Sequence, residues 1–192
     1  MKPKVFCIGF HKTGTTSLAV ALKLLGYRVT GPNNTKDPDI ADKVYALANE
    51  LSEKYDAFQD NPWPVLYREM DQRWPGSKFI LTRRPAEAWI RSQVKDFGLA
   101  ETPMRRWIYG AGCPQGNETV FVERYERHNR EVLEYFRERP NDLLLLDLPK
   151  GHGWPELCQF LDHPIPDTPF PHANKASLSR KIKNWFDRRR RA

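Results

Sequence analysis

The stretch "GFHKTGTTS", residues 9–17, gathers two glycines, one lysine and a run of hydroxyls. An apolar "VFCI" precedes it and the helix-forming "LAVALKLLGY" follows. A strand, a Gly-bounded loop and a helix start together make an anion nest, because loop N–H groups and the helix N-terminus attract negative charge. Gly9 and Gly14 let the chain approach the anion closely. Thr13, Thr15, Thr16 and Ser17 add hydroxyl donors, and Lys12 adds a mobile positive charge. The chemistry this points to, against a plain glycine turn with an N-capping Thr, is phosphate binding, but not the usual triphosphate grip. In the Walker pattern G-x-x-x-x-G-K-[ST] the lysine directly follows the second glycine. Here Thr15 holds that place and the lysine lies inside the loop.

A second set of residues follows another apolar run. In "KFILTRRPAEAWIRS", Arg83 and Arg84 stand at a strand end and Ser92 on the next helix. Arginine grips phosphate through a forked, charge-assisted pair of hydrogen bonds. Three residues are candidates for a general base. Asp60 closes "YDAFQD" before the turn "NPWP", either at the sheet's carboxyl edge or as an Asx cap on the turn. His11 lies in the loop, either as a base or as a spacer whose ring packs away from it. His128, in "YERHNRE", is a base or a packing histidine. Trp63, Trp74, Trp89 and Trp154 read as packing residues, with Trp63 also placed to line an acceptor pocket, beside the "RRWIYGAG" stretch.

The elements that must position these groups alternate along the chain. Strands are expected at "KVFCIGF", "YRVTG", "YDAFQD", "KFILT" and "DLLLLDL". Helices are expected at "TSLAVALKLLGY" (stopped by Gly26), "DIADKVYALANELSEKY", "VLYREMDQRW", "AEAWIRSQVKDF", "ETVFVERYERHNREVLEYFRER" and "WPELCQFL". The weakly periodic "GLAETPMRRWIYGAGCPQGN" reads as an excursion capping the site. Alternation of this kind predicts an α/β fold, a three-layer P-loop-type parallel sheet flanked by helices, with ligands at the carboxyl ends of the strands. One domain over residues 1–178 is expected, then a basic tail over 179–192. That tail, "SRKIKNWFDRRRRA" with Trp185 and Phe186, reads as a solvated end, or as a grip on nucleic acid or an anionic membrane surface.

Composition sets the frame. The 192 residues carry a net charge of +7, with 40% hydrophobic and 29% charged residues. This is globular composition, and its charge favours anionic partners. Cys7, Cys113 and Cys158 have neither zinc-ligand spacing nor a disulfide framework, which suits a reducing cytosol. No signal peptide is read at the N-terminus, and no apolar run approaches the ~20 residues of a membrane span. A cytoplasmic location is expected.

The loop "GFHKTGTTSL" resembles the 5′-phosphosulfate loop of sulfotransferases that use 3′-phosphoadenosine 5′-phosphosulfate (PAPS), where the lysine also precedes the second glycine. "YDAFQDNPWPVLYREMDQRWPGSKFILTRRP" and "YERHNREVLEYFRERPNDLLLLDLPKGHGWPELCQFLDHPIPDTPFPHAN" resemble a bacterial-type branch, so the likeness covers most of the chain. It implies PAPS as co-substrate, adenosine 3′,5′-bisphosphate (PAP) as product, and no required metal. It implies that Lys12 reaches the bridging oxygen between phosphorus and sulfur. It also implies a 3′-phosphate site of the form R-x-P with Ser eight residues after the Arg. Pro85 selects Arg83 for that role, whereas Ser92 selects Arg84; the chain holds one extra residue and leaves both open. The family uses His or a carboxylate as base, so Asp60 and His11 both stand. Late in the chain, "PFPHANKAS" matches where such enzymes close over the nucleotide, bringing His172, Asn174 and Lys175 into question against a plain surface loop.

The expected activity is in-line transfer of a sulfuryl group from PAPS to a hydroxyl or amine of a small-molecule or glycan-like acceptor, with no nucleic-acid partner. Lys12, Asp60 and His11 are the catalytic candidates. Lys12, Thr13, Gly14, Thr15, Thr16, Ser17, Arg83, Arg84 and Ser92 are the nucleotide-binding ones. Two alternatives remain: a P-loop kinase, which needs magnesium and a lysine after Gly14, and a non-catalytic nucleotide- or nucleic-acid-binding module.

Overall fold

The short run Val5–Cys7 (β1) sits at the centre of the molecule, buried on both faces. The computed structural model describes residues 3–172. The remaining strands are Val29–Thr30 (β2), Ala57–Phe58 (β3), Lys78–Thr82 (β4) and Leu143–Leu146 (β5). All pair in parallel, in the order β2-β3-β1-β4-β5. β1 lies between β3 and β4, so the chain must cross it, and a crevice opens at its carboxyl end.

The side-chain period of two divides the core. Val5, Cys7, Ala57 and Ile80 face one side, packed by Leu18 and Leu22 of helix Thr15–Leu24 (α1) and by Trp154 and Leu157 of Trp154–Leu161 (α7). Phe6, Ile8, Phe58 and Phe79 face the other. There, Phe6 stacks on Phe58 at 4.6 Å and on Phe79 at 5.5 Å, in line with the register Phe6↔Phe58 and Phe6↔Phe79. Over that face lie Ile40–Lys54 (α2), Tyr67–Arg73 (α3), Ala86–Phe97 (α4), Pro103–Tyr109 (α5) and Glu118–Tyr135 (α6). Helix, sheet and helix make the three expected layers.

The excursion contains an unpredicted helix, α5. Its signals are local: Thr102 at the N-cap accepts from the Arg105 N–H at 3.1 Å, Pro103 opens the helix, and Gly110 closes it in the left-handed region. Tyr109 and Met104 bury it in the core. The surrounding glycines and prolines mask its short period. No helix among the described residues is long and apolar enough to cross a membrane. Asn174, Lys175 and the basic tail lie outside the described residues.

Candidate active site

Four strands deliver the candidate residues from their carboxyl ends: β1 the loop 8–14, β3 Asp60, β4 Arg83 and Arg84, and β5 Asp147 to Lys150. The loop is bound tightly to β4. A Cβ on Gly9 would stand 2.7 Å from the Thr82 amide nitrogen and closer still to its oxygens, so only glycine fits. Thr13 is buried, and its hydroxyl donates to the Phe10 carbonyl at 2.6 Å and pairs with the Thr82 hydroxyl at 2.6 Å. Thr13 is therefore a tie between loop and strand. Gly14, at φ 104°, caps α1 and brings no side chain to its leading N–H groups, and the first turn holds no acidic residue. That leaves the positive end of the helix open to an anion.

His11 is the loop's inner anchor. It is 5% exposed. Its Nε2 lies 2.8 Å from Gln93 Oε1, and its Nδ1 lies 3.2 Å from Asn61 Nδ2. The amide oxygen can only accept and the amide nitrogen only donate, so the ring carries its proton on Nε2. Its carbonyl accepts from Trp89 Nε1 at 2.9 Å and Gln93 Nε2 at 3.2 Å. Burial pushes the imidazole below its ordinary range, partly opposed by the charge of Asp60. Both ring nitrogens are thus engaged within the protein.

Asp60 is half-buried with φ 62°. Its carboxylate accepts from the Asn61 N–H at 2.7 Å and, at 3.4 Å, from the Thr15 hydroxyl at the start of α1. This brings it beside the loop, and it is also an Asx-type stop on the Asn61–Pro62 turn. His128 is fully buried; its Nε2 donates to the Ile8 carbonyl at 2.7 Å, and burial lowers its pKa to about 4. It packs against Phe10, with ring centroids 4.5 Å apart. Trp63 is fully buried too, its indole donating to Asn33 Oδ1 at 2.9 Å.

Two adjoining cavities open above the loop. One, of about 330 Å³, is lined by Lys12, Thr13, Gly14, Ser17, Arg84, Leu148, Pro149 and His172. The other, of about 550 Å³, is lined by residues that include Arg83, Arg84, Tyr125, Arg130, Pro149 and Lys150. Arg84 and Pro149 belong to both, so the two form one groove. The two arginines differ in their commitments. Arg84 donates through one guanidinium nitrogen to the Lys12 carbonyl at 3.1 Å, and its backbone exchanges hydrogen bonds with the Tyr125 hydroxyl. The Arg83 and Arg130 guanidinium groups make no hydrogen bond or ion pair among the described residues. Lys150 pairs with Asp147 at 3.4 Å.

The structure therefore brings Lys12, Thr13, Gly14, Ser17, Arg83 and Arg84 to one groove, with Thr15 and Asp60 paired beside it. Thr16 is exposed and Ser92 half-buried on α4; neither lines either cavity. His172 does line the loop cavity. Arg130 and Lys150 escape the sequence reading. Lys150 follows a strand's carboxyl end, which is a usable signal. Arg130 shares its helix face with Tyr125, Asn129 and Leu133, a phase visible only once that face is known to border the groove.

The chain matches the family described as "Sulfotransferase domain" over residues 4–114 and 97–178, and it belongs to that family. It is also similar to "Ava biosynthesis cluster protein M" of Aspergillus versicolor, at 26% identity over 212 aligned positions, covering 88% of this chain and 80% of that protein. The parallel sheet and the family match agree with the resemblance read from the sequence.

Proposed function

We propose that the protein transfers a sulfuryl group from PAPS to a hydroxyl or amine of a small-molecule or glycan-like acceptor. The observation that carries this reading is the divided groove: a loop cavity with Lys12, and beside it a second cavity with Arg83 and Arg130, whose guanidinium groups make no hydrogen bond or ion pair among the described residues. A nucleotide with separate 5′ and 3′ anionic groups needs two such places. A linear triphosphate needs one, and the lysine its usual loop would offer is Thr15 here. Similarity to a protein named for a biosynthesis cluster favours a small-molecule acceptor.

In this reading the phosphosulfate lies across the loop amides, with Ser17 as an added donor. Lys12 neutralises the charge growing on the phosphate oxygen as the bridging oxygen–sulfur bond breaks. Arg83 and Arg130 take the 3′-phosphate, and Arg84 holds the Lys12 backbone in place between the two sites. As the acceptor oxygen or nitrogen bonds to sulfur from the opposite side, its proton passes to a base. Asp60 is that base: its carboxylate is half-buried beside the loop, held among the described residues by one amide and a long hydroxyl contact. His11 has both nitrogens occupied and serves to hold the loop.

The test offers the enzyme PAPS labelled in its sulfuryl group and, separately, ATP labelled in its terminal phosphate with magnesium, each with pooled phenols, alcohols, amines and oligosaccharides. Label is expected in an acceptor from PAPS alone, and its rate of transfer should fall about 10²–10³-fold with Lys12→Ala. Transfer from ATP would overturn the reading in favour of a kinase.

A further inference from the structure

Lys12 does not point its charge freely into the loop cavity. Its ammonium forms an ion pair with Asp96, the penultimate residue of α4 and 84 positions along the chain. The nitrogen also lies 6.0 Å from the centroid of the Phe97 ring. That ring is itself fixed, edge-on to His11 at 5.5 Å and beneath the Arg105 guanidinium at 4.5 Å. Asp96 has no other hydrogen-bond or ion-pair partner among the described residues.

The location of Asp96 needs a reason. A carboxylate in the last turn of a helix opposes the helix dipole, and the favourable cation of that turn is already present as Lys95. Asp96 therefore works against α4, and what it gains is Lys12. The lysine backbone, meanwhile, is pinned: its φ is 68°, its carbonyl accepts from Arg84, and the preceding carbonyl accepts from Trp89 and Gln93. Only the side chain can move. The same residue lines the loop cavity and touches Asp96, so both positions are within reach of one side chain. Side-chain exposure of 23% for the lysine and 38% for the aspartate makes this a weak pair, easily broken by a stronger anion.

We propose that Asp96 is a positioning residue that parks the Lys12 ammonium against α4 and yields it when a bisphosphate nucleotide enters the loop. The proposal rests on the nucleotide reading above. It gives the free enzyme a guarded lysine and makes Asp96 a competitor of the nucleotide for one charge.

The experiment has two arms. In the first, no nucleotide is present: the full chain and its Asp96→Asn variant are labelled briefly with acetic anhydride, and the Lys12-containing peptide is quantified by mass spectrometry. Parking predicts several-fold faster labelling in the variant, and equal labelling contradicts it. In the second, PAP is titrated calorimetrically into wild type, Asp96→Asn, Lys12→Ala and the double variant. Asp96→Asn should tighten binding by about twofold to fivefold, the range of an exposed ion pair. In the Lys12→Ala background the same change should have almost no effect. Equal tightening in both backgrounds would mean a general field effect and would overturn the proposal, as would no tightening in wild type. If wild type binds no PAP, the nucleotide reading fails, while the labelling arm still decides whether Asp96 holds Lys12.

Discussion

At the scale of single residues, the proposed mechanism separates groups that act from groups that hold. Lys12→Ala should lower sulfuryl-transfer kcat/KM by about 10²–10³-fold, the usual cost of removing one stabiliser of developing charge. The ion pair it loses is exposed, so thermal stability should change by no more than ~1 kcal/mol. Arg83 and Arg84 should part company. Arg83→Ala should weaken PAP binding about tenfold or more, as expected for a charge-assisted bond, with stability intact. Arg84→Ala should damage both, because its guanidinium holds the Lys12 carbonyl. Calorimetry beside urea denaturation distinguishes them. His128 gives a pH prediction. Its folded pKa of about 4 lies below the ordinary 6.5, so the folded state favours the neutral ring. That contribution is complete above pH 6.5, falls as pH drops from 6.5 towards 4, and falls no further below. It amounts to at most about 3 kcal/mol. His11 shifts in the same direction. Melting midpoints measured from pH 7 to 4 should fall less steeply in His128→Gln than in wild type.

At the scale of elements, the loop is held in place because β1 and β4 are in contact through Gly9. Gly9→Ala should cost about 1–3 kcal/mol or more through overpacking, and nucleotide binding should fail with it. Urea denaturation and PAP titration of the same variant check both. The five strands were legible in the sequence because their apolar runs are bounded by turns. The loop between β1 and α1 was legible because its two glycines and its hydroxyls are adjacent along the chain. α5 hides among glycines and prolines although its caps, Thr102 and Gly110, are plain once sought. Arg130 depends on the rotational phase of α6. Asp96 meets Lys12 only through tertiary packing, and no local pattern reports such a pair. One extra residue leaves both Arg83 and Arg84 open in the sequence, and in the structure the two differ in their hydrogen-bond partners.

At the scale of the whole molecule, the segments after three parallel strands, β1, β4 and β5, converge on a single groove, and a net charge of +7 draws anions towards it. If two separated phosphates are held, salt should screen PAP binding more strongly than binding of a nucleotide with one. The titrations that decide this compare adenosine 3′,5′-bisphosphate with adenosine 5′-monophosphate, both without metal. The 3′-phosphate should tighten binding about tenfold or more, and Arg83→Ala should remove most of that gain. Equal affinity for the two nucleotides would contradict the divided groove and, with it, the use of PAPS.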